Sequence, residues 1–303
     1  MNMKEFEPTT KSINESIFEE DLGIVIDEFV KLDFKEVNKG KEVNMRKQFF
    51  FDYFNDLKIK IQEIYSWLLN NQDDPNSAYL LGYFNYHGIE TDINLQKAFE
   101  LYQKATNLGN NVAQYNLTNM YMDGDGIDKN YEKAFELSKK LANKKFSSGI
   151  NLLGCCYDSG IGTDIDKEKA FELYQKAANL GNSHGISNLG WYYEKGFIAC
   201  IDKKKAFELY QRAADLGNSH GIRNLGRCYE KGIGIDVNKQ EAFELYQKAA
   251  NLGNRFAQYN LALMYEKGDV IEIDINQAIY WYKKSAEQGY QYAQNKLKSI
   301  LNG

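Results

Sequence analysis

One segment of this chain returns at a constant step of 36 residues, and that periodicity restricts the fold more than any other property. Ala98-Phe99-Glu100-Leu101-Tyr102-Gln103-Lys104-Ala105 recurs from Ala170 and Ala242, and from Ala206 with Arg212 in place of the lysine, with looser copies from Ala134 and Ala278. Other positions keep the same step. Leucine stands at Leu81, Leu117, Leu153, Leu189, Leu225 and Leu261. Glycine stands at Gly88, Gly124, Gly160, Gly196, Gly232 and Gly268. Asn94, Asn130, Asp166, Asp202, Asn238 and Asp274 form a third series. A second glycine occurs at Gly109, Gly181, Gly217, Gly253 and Gly289, with Lys145 as the exception.

Each series has a physical role. A first helix, A, is expected over roughly 78–86, ending at Gly88, where a positive φ stops a helix without steric cost. Asn94 and its equivalents should cap a second helix, B, through their side-chain oxygens. Ala98, Leu101, Tyr102 and Ala105 follow the i, i+3, i+4, i+7 spacing of an amphipathic helix. Small residues at Ala98, Ala105, Ala113 and Gly149 allow close approach between helices. One such pair cannot bury its own apolar face, so the units must stack. The expected fold is all-α: a right-handed α-solenoid of helix-turn-helix repeats with helical caps at both ends.

The units run 75–110, 111–146, 147–182, 183–218, 219–254 and 255–290. Residues 291–303 read as a C-terminal capping helix. Residues 41–74 read as a helical N-cap and linker, with one helical stretch from about Val43 to Leu69 and a polar break before Pro75. A further helix is expected from Ile13 to Leu32, and 1–40 reads as a partly helical extension, mobile or dependent on a partner.

Composition narrows the function. Lys and Arg (37) nearly balance Asp and Glu (42), leaving a formal charge of −5 and no basic excess for nucleic acid. Two prolines in 303 residues and a mean hydropathy of −0.57 suit a helical, water-facing protein. No apolar run approaches a membrane span, and 1–15 lacks the apolar core of a signal peptide, so a cytoplasmic or nuclear location is expected. Cys155, Cys156, Cys200 and Cys228 follow no disulfide or zinc spacing, and the adjacent pair reads as small core fillers. His87, His184 and His220 offer no metal set and read as surface residues. Gly124-Asp125-Gly126 and Gly160-Ile161-Gly162 lack the Gly-Lys-Ser/Thr ending of a phosphate loop, and their recurrence makes them turns. No catalytic constellation and no cofactor is expected.

The unit resembles the Sel1-like repeat, a relative of the tetratricopeptide repeat. Leu153-Gly154, Tyr157, Gly160, Gly162, Asp164, Lys169-Ala170, Leu173-Tyr174, Lys176-Ala177-Ala178 and Gly181 follow that family's pattern in order. The last unit adds Trp281-Tyr282 and Lys284-Ser285-Ala286. The second unit departs from it, with Thr118 in place of the glycine after leucine and Lys145 in place of the terminal glycine. The resemblance implies a non-enzymatic scaffold or adaptor that joins other proteins in signalling or complex assembly. Relatives also include activators of chitin synthase and adaptors of endoplasmic-reticulum-associated degradation. No kinase motif accompanies the repeats: Leu32-Asp33-Phe34-Lys35 lacks the glycine that follows Asp-Phe in the magnesium-binding signature.

Comparing the six units with one another locates a candidate binding face. Helix-A positions equivalent to 77, 81 and 84 stay small or apolar, whereas those equivalent to 76, 79, 80, 83 and 87 fall on the other side, where the chain varies. The variable set comprises Tyr79, Tyr83, Tyr115, Asn116, Asn119, Asn188, Trp191, Arg223, Asn224, Arg227, Tyr259 and Asn260. In a stacked array these line one concave groove. Exposed Trp191, Tyr115 and Tyr259 favour protein or peptide contact over an idle solvated face, because aromatics and Arg dominate interface energetics. The asparagines could bond a peptide backbone or the neighbouring helix. The charged stripe of Lys97, Glu100 and Lys104 on helix B reads as solvated surface. A competing reading makes residues 1–70 the contact of an enzyme regulator, because Phe49, Phe50 and Phe51 cannot all face one core.

Overall fold

The computed structural model describes residues 19–301 except 199 and 269, and among these it contains helices and no strand. Three helices come first: α1 (Glu19–Asn38), α2 (Val43–Asp56) and α3 (Ile61–Asn70). Six A/B pairs follow: α4 (Pro75–His87) with α5 (Leu95–Asn107), α6 (Asn111–Asp123) with α7 (Tyr131–Asn143), and α8 (Ser147–Ser159) with α9 (Lys167–Asn179). Then come α10 (Ser183–Lys195) with α11 (Lys203–Asp215), α12 (Ser219–Lys231) with α13 (Lys239–Asn251), and α14 (Arg255–Lys267) with α15 (Ile275–Glu287). A last helix, α16 (Gln291–Leu301), packs on α15.

Local chemistry sets these boundaries. Every A helix ends at its glycine in the left-handed conformation, from Gly88 (φ +64°) to Gly268 (φ +69°). Every B helix begins at its Asn or Asp, whose side chain accepts from the backbone N–H three residues on, as Asn94 does from Lys97 at 2.9 Å. Lys145, the exception in the glycine series, still takes φ +58°. Each helix contacts mainly its neighbours in sequence, which makes the array a solenoid. The stripes close a continuous interior: Ala98, Tyr102, Ala105, Tyr174, Tyr210, Tyr246 and Tyr282 are all buried. Helix α10 also touches α8 and α12, which puts the A helices on the inside of the curve.

The N-terminal third departs from expectation. The first helix covers 19–38 rather than 13–32; Ile13 and Ile17 lie outside the described residues. The stretch 43–69 is two helices, broken where Lys58 takes φ +57° and Ile59 turns into the core. Residues 19–40 are not a free extension. Helix α1 lies along the inner face and packs on α4, α6 and α8, and α2 folds back against it. Ile26, Phe29, Val30 and Val37 supply the buried stripe of α1, and Phe50 and Phe54 that of α2. The Phe49–Phe51 run is absorbed internally. Phe49 stacks on Phe29, Phe50 meets Phe84 edge-on, and Phe51 lies edge-on to Phe50.

Candidate protein-binding face

The α1–α2 hairpin is held to the array through the N-terminal ends of the A helices. The N-terminal end of a helix exposes unpaired N–H groups, and the C-terminal end exposes unpaired carbonyls. The hairpin joins the two. The Val37 carbonyl accepts from the Ser148 hydroxyl and the Asn38 carbonyl from the Ser147 hydroxyl, both at the start of α8. The Lys39 carbonyl accepts from the Ser183 N–H at 2.9 Å, and the Gly40 carbonyl from the Ser183 hydroxyl at 2.6 Å, both at the start of α10. Glu42 Oε1 accepts from the Ser219 N–H at 2.8 Å at the start of α12.

One of these contacts repairs a break in the repeat. The A helices α6, α10, α12 and α14 are capped by Asn110, Asn182, Asn218 and Asn254. The equivalent residue before α8 is Phe146, which has no capping side chain. Asn38 of the hairpin takes the role, its Oδ1 accepting from the Ser147 N–H at 2.5 Å.

A buried ion pair lies between α1, α2 and α4. Arg46 donates to both carboxylate oxygens of Asp33 at 2.8 Å and to the Tyr79 hydroxyl at 3.1 Å, and that hydroxyl donates in turn to Asp33. Burial and the Asp33 charge push the Tyr79 hydroxyl well above its ordinary pKa.

These contacts divide the twelve expected contact residues. Tyr79 and Tyr83 are buried beneath the hairpin and unavailable to a partner, a correction to the expected face. Tyr115, Asn116 and Asn119 are half-buried and line a cavity of about 270 Å³ together with Glu42 and Arg46 of the hairpin. Tyr259, expected to be exposed, is half-buried among Tyr282, Tyr290 and Tyr292. Asn188 bonds the neighbouring A helix, donating to Asn151 Oδ1 at 3.0 Å. Asn224 is buried and Asn260 half-buried. Arg227 pairs internally with Glu194, which also accepts from the Tyr210 hydroxyl at 2.9 Å. Burial opposes the Glu194 charge, yet these bonds hold its pKa below the usual carboxylate value.

Trp191 remains exposed at 37%, with Lys195 and Arg227 over its ring. Arg223 is half-buried: its Nη1–H reaches Asn224 Oδ1 at 2.8 Å, while its Nε–H is buried without an acceptor. Both residues line an open cavity of about 390 Å³ on units three to five, to which the hairpin contributes no lining residue.

Two histidines expected at the surface are half-buried. Burial lowers the His184 pKa, and Asn218 Nδ2 lies 2.9 Å from its ring. Burial brings His87 down to about 4, with its ring 4.2 Å from that of Tyr83. Sequence reasoning missed Asn38, Glu42, Glu194 and the Asp33–Arg46 pair. For Asn38 a trace was present, since Phe146 interrupts the asparagine series.

The Sel1 repeat profile matches residues 75–110, 111–146, 147–182, 183–218, 219–254 and 255–290. The chain belongs to the Sel1 repeat family. A Sel1 repeat protein from Oxalobacter formigenes is 27% identical over 77% of this chain and 93% of its own, with a TM-score of 0.62. A protective antigen of uropathogenic Escherichia coli with the same repeat fold is 30% identical over 80% of this chain and 52% of its own, with a TM-score of 0.52. Yeast Tom70, 16% identical over 97% of this chain and 66% of its own, shares the fold at a TM-score of 0.51. No curated protein sequence matches the chain. Sel1-repeat solenoids are in general non-enzymatic protein-interaction scaffolds. No helix among the described residues is long and apolar enough to cross a membrane.

Proposed function

We propose that this Sel1-repeat protein is an adaptor that holds a protein or peptide on the open part of its inner face, over units three to six, in the assembly of a complex. The observation that carries this reading is the exposed Trp191 beside the half-buried Arg223, in a cavity to which the hairpin adds no lining residue. A large exposed indole next to a guanidinium is costly to leave idle and is a common energetic centre of interfaces. The proposed binding set is Trp191, Arg223, Asn188 and Asn224, which line that cavity, with Tyr259 and Asn260 on the next A helix. Tyr79 and Tyr83 contribute to the fold instead.

Affinity purification with the tagged full chain supplies the partner, and Trp191→Ala combined with Arg223→Ala supplies the test. Partner affinity should fall on the order of tenfold or more, with an unchanged melting temperature. Capture unaffected by the double substitution overturns the reading. Arg227→Ala is unsuitable here, because it strands the buried Glu194 carboxylate.

A further inference from the structure

We propose that the occupant of this face is an extended peptide segment carrying an acidic side chain, whose carboxylate is received by Arg223; this rests on the reading above that the inner face binds protein. The argument is one of charge bookkeeping inside the cavity. Each carboxylate near it already accepts a hydrogen bond from the protein. Asp158 takes Lys167 Nζ at 2.7 Å and the Tyr192 hydroxyl. Glu194 takes Arg227 and Tyr210. Glu42 takes the Ser219 N–H. Arg223 alone among these cations has no carboxylate, and burial together with the like charge of Arg227 disfavours its protonated form. A half-buried guanidinium carries five N–H donors in a planar fork that matches a carboxylate. Here one donor is spent on a neutral amide and another is buried without an acceptor.

The hairpin shows how this face handles an acid. Glu42 bonds the first residue of α12, and Arg223 lies four residues later, just over one helical turn or ~6 Å further along the same helix. The chain thus already places one carboxylate on α12 and leaves the next position along the helix with a cation and no acid. Asn188 and Asn224 flank that position on α10 and α12 and line the same cavity. Asn188 Nδ2 and Asn224 Oδ1 are engaged within the protein, so it is the Asn188 oxygen and the Asn224 amide N–H that would meet a backbone passing through.

The experiment uses the full chain and a displayed library of short random peptides, fused at their C-termini so that no free terminal carboxylate is presented. Peptides weakened by Trp191→Ala define the groove binders, which are then synthesised with Glu or Asp and with the matching Gln or Asn. Enrichment of acidic residues, with a loss on the order of tenfold on Glu→Gln in the peptide, is the expected result. Arg223→Gln should abolish that difference, and Arg223→Lys should retain part of it. Because the peptide substitution is read on the unaltered protein, an Arg223 variant that folds poorly does not decide the outcome. Trp191-dependent peptides with no acidic preference overturn this inference and leave the adaptor reading standing. An absence of any Trp191-dependent peptide overturns both.

Discussion

At the scale of single residues, the Asp33–Arg46–Tyr79 group is the most exposed to substitution. Both charged side chains are almost fully buried, so removing one partner leaves the other charge without solvent or counterion. Asp33→Ala should cost about 3–5 kcal/mol, measured by denaturant unfolding. Replacing Asp33 and Arg46 together by apolar residues of similar volume should recover most of that loss. His87 gives a pH signature. Its folded pKa is about 4 because burial, helped by Lys47 and Arg46, disfavours the imidazolium. The folded pKa lies below the ordinary value, so the unfolded chain binds the proton more readily. The contribution is therefore fully present above about pH 6.5 and is lost as pH falls towards 4. It should reach about 3 kcal/mol. Melting curves between those pH values should flatten in His87→Gln, and identical profiles for the two proteins would refute the assignment. Neither site was legible in the sequence, because an isolated Asp, Arg or His gives no hint of a partner on another helix. The caps at Asn94 and its equivalents were legible, because a cap acts on N–H groups three residues away.

At the scale of elements, the periodic helices were readable to within a few residues, since turn chemistry and spacing are local. The hairpin was readable as helices but not as a docked unit. The apolar stripe of α1 announces that something must cover it, and the stripe is equally compatible with any apolar surface in the molecule. What decides its place is the set of serine and asparagine donors at the starts of α8 and α10, which takes up its last carbonyls. Gly40 is the pivot. It has φ +73°, and a Cβ added there would meet the Ser183 hydroxyl oxygen at 2.9 Å, with the His184 ring and Asn182 amide scarcely further. Gly40→Val should therefore lift the hairpin from α10 and cost on the order of 1–3 kcal/mol. Faster amide exchange in α2 and at the start of α10, with α14 and α15 unchanged, is the expected pattern. Exchange that is uniform along the chain would mean the hairpin is not held there.

At the scale of the molecule, a stack of nearest-neighbour units unfolds from its ends, because each interface is independent of distant ones. The hairpin changes that for part of this array. Its contacts run from α4 through α8 and α10 to α12, and Asn44 reaches the Leu252 carbonyl beyond α13 at 3.4 Å. Units one to five should therefore melt together, with the sixth unit and α16 free to fray. In Gly40→Val that single transition should separate into two, with a smaller denaturant dependence for each. A single unchanged transition in the variant would show that the units couple without the hairpin.

The same arrangement bears on how the array responds to load. A bare solenoid is a spring whose compliance comes from small rotations at each interface, summed along its length. Here a stiff helical strut lies inside the coil and is fastened at several turns. Pulling on the two ends should stretch the last unit first, while the fastened turns resist until the strut tears loose from its serine anchors.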